Sequence, residues 1–212
     1  MERCGGGGFA GSAASELSNL MTFRDGDEAL AALHSDNDAL AEAAAQALAA
    51  MDGAVVGLAT LLAEGDASTR WWVCRALSLQ PADAATGLLV RALNDPDEDV
   101  QACALLALAE LRASGAIPAM IEKLRTPGGY VARQAEAALR RLGEAAEPAL
   151  IAALTDENPQ VRGLAARALA HLTTPAAIGP LYAALQDESQ FVRYWADEGL
   201  TRRGLGMVLM QP

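Results

Sequence analysis

The side chains that most often perform catalysis or bind metals are few in this sequence and widely separated. The two histidines, His34 and His171, lie far apart, and neither has companion cysteines or carboxylates at the spacing of a metal site. Cys74 is typical of a small core residue, and Cys103 has no histidine base nearby in sequence. We therefore predict no catalytic residues, no metal and no cofactor, and we expect a protein that is not an enzyme.

The most unusual feature is the adjacent pair Trp71 and Trp72 in the stretch "STRWWVCRAL", because the whole chain contains only three tryptophans. Neighbouring residues of a helix point about 100° apart, so two adjacent indoles cannot share one narrow buried stripe. The pair could serve recognition, since tryptophan often carries the binding energy of an interface. Whether the two indoles are exposed depends on the helices that position them.

Composition favours closely packed helices. The chain has 212 residues, 52% of them hydrophobic and only 4% aromatic, and it is rich in alanine and leucine, which are good helix formers. Valine and isoleucine are too sparse for a sheet protein. Three cysteines without a CxxC motif indicate a reducing compartment, so we expect a cytoplasmic protein. No apolar run is long enough to span a bilayer, so we expect no membrane partner.

The net charge of −11 is unevenly distributed along the chain. Residues 1–112 carry 17 acidic and 6 basic side chains, whereas residues 113–212 carry 10 of each. Phosphate neutralisation supplies most nucleic-acid affinity, so an acidic chain binds nucleic acids poorly. This argument applies firmly only to the first half.

A leucine frame recurs six times. In each unit two leucines stand 15 residues apart, and successive units are offset by 29 to 31 residues. The first leucines are Leu33, Leu62, Leu93, Leu124, Leu154 and Leu185. The second leucines are Leu48, Leu77, Leu108, Leu139, Leu169 and Leu200. Such self-similarity is the signature of a repeat protein, in which stacked units bury a continuous core.

Polar turn residues such as "NDPDED" and "TDENP" lie between the two leucines of each unit, so each repeat is predicted to be a helix A, a short turn and a helix B. The predicted fold class is all-α, an α-solenoid of about six two-helix repeats. Residues 1–24 are interpreted as a flexible leader that could hold a short helix, and residues 25–204 as one solenoid. Residues 205–212 form an apolar tail that either caps the last repeat or docks on a partner or a second copy, which would make a homo-oligomer.

The B-helix sequence "VRGLAARAL" has degenerate counterparts in "TRWWVCRAL" and "VRYWADEGL". Together with A-helix sequences such as "AIPAMIEKL", it resembles the short HEAT-like repeat of the phycobilin-lyase type. The resemblance covers roughly Asp27 to Arg203. It implies the fold, but such repeats serve many unrelated tasks. In solenoids similar to this one, a variable stripe on the B helices lines the concave face.

We number each helix B from its first apolar anchor, for example Thr69 in the second repeat. Positions +2, +3, +6 and +10 fall in one wedge of the helix and vary freely between repeats, which indicates a surface that packing does not constrain. We call these positions the B-helix stripe. The partner-binding residues predicted on it are Trp71, Trp72, Arg75, Cys103, Leu106, Arg133, Gln134, Arg141, Leu164, Arg167, His171, Tyr194, Trp195, Glu198 and Arg202.

The predicted groove has an aromatic anchor at each end and arginines between them. Trp71 is expected to be exposed and Trp72 to lie at the edge, with Tyr194 and Trp195 at the same two positions four repeats later. The alternative for Trp72 is that it packs in the core against the next repeat. A different role is predicted for the arginines at position +1, which are expected to bond turn carboxylates and carbonyls between repeats. These arginines are Arg70, Arg162 and Arg193, and the candidate carboxylates are Asp66, Asp156 and Asp187.

The leading functional hypothesis is a scaffold or adaptor that binds another protein, through a segment with apolar and acidic character. The family resemblance implies one alternative, an accessory subunit of a phycobilin lyase-like chromophore-attachment system, whose propionates could meet the arginines. The third hypothesis is nucleic-acid binding by the basic face of repeats four to six. The overall charge makes nucleic acid the least favoured partner.

Overall fold

The computed structural model describes residues 23–206, so most of the predicted leader and the end of the apolar tail, from residue 207 onwards, lie outside the described residues. Within that range the secondary structure consists of helices, turns and loops, without a strand. Twelve α-helices follow one another as α1 (Gly26–Ala32), α2 (Asp38–Ala49), α3 (Ala54–Glu64), α4 (Ala67–Leu77), α5 (Ala82–Ala92), α6 (Glu98–Glu110), α7 (Ile117–Lys123), α8 (Tyr130–Leu142), α9 (Glu147–Ala153), α10 (Pro159–His171), α11 (Ile178–Ala184) and α12 (Gln190–Thr201). The odd-numbered helices are the A helices and the even-numbered ones are the B helices.

The turns between the A and B helices stop one helix and start the next with polar caps. The side chains of Asn37, Asp66, Asp97 and Asn158 each accept a hydrogen bond from a backbone N–H in the first turn of the following B helix. Helix α8 instead begins after Gly129, whose φ of 77° lies in the left-handed region that glycine tolerates. These caps explain why the turn between helix A and helix B of each repeat coincides with a polar cluster of the sequence.

The leucine frame forms the core of every repeat. The second leucine of each pair, from Leu48 to Leu200, is fully buried in all six repeats. Of the first leucines, four are buried, whereas Leu62 and Leu185 are half-buried. Small alanines fill the space between the leucines, which lets neighbouring helices approach closely.

The chain divides into two compact units of three repeats each. Unit 1 comprises residues 1–111 and contains α1–α6, and unit 2 comprises residues 112–212 and contains α7–α12. In unit 1 the B helices α2, α4 and α6 pack in sequence against one another. In unit 2 the B helices α8, α10 and α12 do the same. Each A helix packs on the B helix of its own repeat. The prediction of a single domain over residues 25–204 stays a prediction.

Arginines at position +1 connect consecutive repeats, as predicted. In unit 1 Arg70 donates from Nε and Nη2 to the two carboxylate oxygens of Asp95, both at 2.7 Å, and from Nη1 to the carbonyl of Gly65. In unit 2 Arg162 makes the same bidentate pair with Asp187, at 2.7 and 3.0 Å.

The carboxylate in each of these pairs comes from the turn of the following repeat. Asp66 and Asp156, the candidate partners from the arginine's own repeat, do not take this place: Asp66 caps α4 through Thr69, and Asp156 offers Arg162 its carbonyl. Arg193, in the last repeat, bonds the carbonyls of Asp187 and Glu188 and no carboxylate among residues 23–206. The arginine therefore ties its own turn to the next one where a next repeat exists in the unit.

Candidate functional site

The two adjacent tryptophans of unit 1 are less accessible than predicted. Trp71 is half-buried, so the expectation of an exposed Trp71 is wrong, whereas Trp72 is only 6% exposed, which confirms the alternative of a core position for it. Their rings meet edge to face, with centroids 4.8 Å apart. Both indole Nε1 atoms are buried and find no hydrogen-bond acceptor among residues 23–206. Ring packing rather than hydrogen bonding therefore fixes the pair.

Position +3 of the B helices lies in the seam between consecutive B helices. Trp72, Cys103 and Leu164 all occupy this position and are all buried, which corrects their assignment to a variable surface. The Sγ of Cys103 in α6 donates to the carbonyl of Trp71 in α4, at 3.5 Å. Within each unit, consecutive B helices pack side by side, so a side chain in this direction meets a helix and not solvent.

A small residue on one B helix lets a large side chain of the next B helix pack closely against it. A methyl group added to Gly163 of α10 would come within 2.1 Å of the ring of Phe191 in α12. Phe191 therefore rests on the glycine surface of α10 while remaining 42% exposed. The glycine at position +2 of α10 was the feature of the sequence that could have indicated this contact.

The remaining stripe residues of unit 1 are Arg75 and Leu106. Arg75 is half-buried and donates to both carboxylate oxygens of Glu42 on α2, at 3.1 and 2.6 Å, and to the hydroxyl of Ser78. Its charge is thus compensated inside the unit. Leu106 is half-buried and lines a shallow depression together with Trp71.

Unit 2 gathers aromatic rings and arginines on the stripe of α10 and α12. Trp195 is half-buried, and Tyr194 is 60% exposed, with the two ring centroids 5.2 Å apart and edge to face. The guanidinium carbon of Arg167 lies 5.9 Å from the indole centroid of Trp195, and the His171 ring lies 6.1 Å from it. We call Arg167, His171, Tyr194, Trp195 and Arg202 the aromatic–arginine cluster.

Carboxylates hold the arginines of this cluster in place. Arg202 donates from Nε to Glu198 at 2.6 Å, and its Nη1 lies 2.9 Å from Nδ1 of His171. Arg167 donates to Glu136 on α8 at 2.8 Å. Glu198 was predicted as a stripe residue, but Glu136 was missed. It occupies position +5, where three of the other repeats have alanine or cysteine, and that unusual acid was the available signal.

Glu136 is a buried carboxylate, only 3% exposed. Its Oε2 accepts from Arg167, and its Oε1 lies 4.0 Å from Nη1 of Arg140 and has no hydrogen-bond partner among the described residues. A buried charge needs compensation, and the two guanidiniums supply it. Glu136 therefore anchors Arg167 from below the surface.

The other stripe residues of unit 2 lie on α8. Arg133 and Arg141 are exposed and make no ion pair within residues 23–206, and Gln134 is half-buried. Five arginines therefore lie on and beside the stripe, and only two carboxylates, those of Glu136 and Glu198, pair with them among the described residues. The five are Arg133, Arg140, Arg141, Arg167 and Arg202. The stripe of unit 2 is therefore positively charged.

The contacts of His171 favour a neutral imidazole. His171 is exposed, but the atoms packed around its ring remove part of its hydration and lower its pKa from the usual value near 6.5, and the positive charges of Arg140 and Arg202 lower it further. A guanidinium can only donate, so the Nδ1 facing Arg202 must be an unprotonated acceptor. The imidazole thus holds Arg202 without adding a charge.

Within the described range, no three histidine, cysteine or acidic side chains come together as metal ligands would. The helices found there are also too short or too polar to cross a bilayer. His34 bonds the hydroxyl of Thr69 at 3.0 Å. Burial raises the pKa of the Cys74 thiol to about 12, far from that of a reactive thiolate.

The sequence matches a family model described as HEAT repeats over residues 55–140 and 147–205, which together make up more than half of the chain. The protein belongs to the HEAT repeat family. The predicted resemblance to HEAT-like repeats is thereby confirmed. Repeats of this type commonly mediate protein binding.

Solved structures show the same HEAT repeat architecture. An archaeal HEAT-like repeats protein from Thermococcus onnurineus NA1 superposes with a TM-score of 0.59 at 15% identity, covering 90% of this chain and 85% of that one. YibA of E. coli superposes with a TM-score of 0.56 at 24% identity, covering 91% and 74%. At these identities the likeness concerns the fold alone, and it confirms the all-α solenoid. None of the curated proteins matches the sequence.

Proposed function

We propose that this HEAT repeat protein is a non-enzymatic scaffold that binds a segment of another protein through the aromatic–arginine cluster of unit 2. The observation that carries the proposal is the exposed Tyr194 beside Trp195, with Arg167 and Arg202 fixed around them. Tryptophan, tyrosine and arginine are the residues that most often dominate interface energies. The family's common use in protein binding supports the same conclusion.

The cluster is ordered before a partner arrives. Arg202 is held by Glu198 and His171, and Arg167 by Glu136, so little side-chain freedom remains to be lost on binding. Preorganised side chains of this kind favour affinity because the ordering cost has already been met during folding.

The charges around the cluster define the partner segment. Arg133 and Arg141 offer donors that no carboxylate of the described residues occupies, so they can meet acidic side chains. Tyr194 and Trp195 offer apolar surface next to them. We therefore propose a segment that combines an apolar side chain with aspartates or glutamates, bound in the cytoplasm.

Nucleic acid and chromophore-carrying partners stay weaker alternatives. Two of the arginines predicted to meet phosphates or propionates, Arg167 and Arg202, are paired with carboxylates of the unit itself. The total charge of −11 also opposes the approach of a polyanion.

Affinity capture with matched variants tests the proposal. The full chain is immobilised as wild type, as a Tyr194→Ala/Trp195→Ala double variant, and as Tyr182→Ala. Tyr182 is 44% exposed on the A helix α11 of the same unit and serves as the control. Proteins recovered from a cytoplasmic extract are quantified by mass spectrometry, and circular dichroism confirms that each variant is folded.

We expect one or more proteins to be recovered with wild type and Tyr182→Ala and to be lost with the double variant. Equal recovery by all three proteins would show that the cluster is not the binding surface.

A further inference from the structure

Unit 1 contains a second candidate subsite, a shallow depression between α4 and α6. It is open to solvent, and the cavity volume is about 20 Å³, roughly the space of one or two water molecules, so only the end of a side chain can enter it. The lining consists of Trp71, Arg75, Ser78, Cys103, Leu106, Ala107 and Glu110. The indole of Trp71 and the side chains of Leu106 and Ala107 make most of this surface apolar, so an aliphatic side chain would lose water contact on entering it.

The charge at the rim has the opposite sign from that of the cluster in unit 2. Arg75, the cation of the depression, is neutralised by its two hydrogen bonds to Glu42. Glu110, the last residue of α6, is exposed and makes no ion pair within residues 23–206. Glu110 is therefore the side chain of the rim that can accept a new charged partner, and it is negative.

We infer that this depression receives an aliphatic side chain from a protein segment that carries a lysine or arginine next to it. The apolar floor takes the aliphatic group, and Glu110 takes the cation. The excess of acidic side chains in the first half of the chain favours the approach of such a basic segment. The inference rests on the proposal that the chain binds protein segments, but it concerns different residues and the opposite charge.

NMR titration of the full chain with short peptides tests the inference, because it detects weak binding at a named group. The probes are acetyl-Gly-Lys-Leu-Lys-Gly-amide, its glutamate counterpart acetyl-Gly-Glu-Leu-Glu-Gly-amide, and a version of the lysine peptide with glycine in place of leucine. The indole N–H signal of Trp71, assigned with Trp71→Phe, reports on the depression, and the indole signal of Trp195 reports on unit 2.

We expect the lysine–leucine peptide to shift the Trp71 signal in a saturable manner and to bind roughly threefold or more tightly than the glutamate peptide, as an exposed ion pair predicts. The glycine version should lose the shift. Glu110→Gln should abolish the preference for lysine, and Glu64→Gln, at an acid of α3 outside the depression, should preserve it.

A glutamate peptide that binds as tightly as the lysine peptide would overturn the inference. So would a lysine preference that survives Glu110→Gln, or the absence of any shift at Trp71. These outcomes are independent of the capture experiment, because the Tyr194→Ala/Trp195→Ala variant leaves α4 and α6 intact. Loss of the peptide response would refute the unit 1 subsite alone, and unchanged capture by the double variant would refute the unit 2 surface alone.

Discussion

Arg202 and His171 are joined by a contact of 2.9 Å between Nη1 and Nδ1, which links the last turn of α10 to the end of α12. This contact requires a neutral imidazole. We therefore predict that His171 titrates below its usual pKa of 6.5, because the partial loss of hydration and the charges of Arg140 and Arg202 all disfavour its cation. The midpoint is measured by following the imidazole signals by NMR across pH 4 to 8.

Since the pKa of His171 is lower in the folded chain, the unfolded chain takes up more protons as the pH falls below about 6.5. The free energy of unfolding should therefore fall with pH through this range. Arg202→Gln should raise the midpoint, whereas Arg193→Gln, on the same helix but bonded to turn carbonyls, should leave it in place. A midpoint at or above 6.5 in the wild type would contradict the role given to Arg202.

Arg162 ties two repeats of unit 2 together through the carboxylate of Asp187. Both side chains are mostly buried, so Arg162→Ala leaves a carboxylate without its partner and should reduce the free energy of unfolding by about 3 kcal/mol. Arg193→Ala is the matched control, because Arg193 is exposed and its bonds within the described residues go to carbonyls; its cost should stay below about 1 kcal/mol. Urea denaturation followed by circular dichroism measures both, and equal costs would refute the special role of the buried pair.

The same pair makes a prediction about pH. The hydrogen bonds from Arg162 hold the pKa of Asp187 below its usual value of 3.8. Its contribution to stability is therefore complete above about pH 4 and is lost as the pH falls through the lower folded pKa. The backbone N–H of Ser189 and the charge of Arg193 also lower this pKa, so Arg162→Ala should reduce the loss without abolishing it. A plot of unfolding free energy against pH, measured for both proteins below pH 4, should therefore have a smaller slope for Arg162→Ala.

The sequence alone was sufficient for the repeat frame, because a pair of leucines at a fixed spacing that recurs six times is typical of stacked repeats. It was also sufficient for the inter-repeat arginines, which bond turn carboxylates and carbonyls as predicted. The carboxylates, however, come from the following repeat, and not from Asp66 and Asp156 of the arginine's own repeat. The burial of Leu164 could not be derived from one helix, and that of Trp72 was only one of two alternatives. It depends on how closely the next B helix approaches, and that distance is set by small residues on another repeat, such as Gly163.

The charges of the site were misjudged for a related reason. Arg167 and Arg75 looked free because their partners, Glu136 and Glu42, stand in a different repeat, some thirty positions away in sequence. Variation between repeats indicates a face that the core does not constrain, but it does not show which charges compensate each other across neighbouring helices. Tyr194 and Trp195 do share one face of α12, as their positions in the repeat predicted, but their role in binding stays a prediction.

Leu77 and Leu79 provide a test of the repeat frame in which two leucines differ only in register. Leu77, the second leucine of its repeat, is fully buried, whereas Leu79 is 36% exposed. Leu77→Ala should cost about 3 kcal/mol, since it removes buried methyl groups and leaves a cavity, and Leu79→Ala should cost less than about 1 kcal/mol. Urea denaturation of both variants measures the difference, and similar costs would mean that the frame does not define the core.

Cys74 should be chemically inert in the folded chain. Burial raises the pKa of its thiol to about 12, so almost no thiolate is present near neutral pH, and the side chain is fully enclosed. In a Cys4→Ser/Cys103→Ser variant, Cys74 is the remaining thiol, and its reaction with a thiol-specific chromogenic reagent at pH 8 should proceed only as fast as the protein unfolds. The same variant unfolded in about 8 M urea should react at once, and its rate is the reference. Rapid labelling without denaturant would show that α4 opens locally and that the packing of Cys74 between repeats is not rigid.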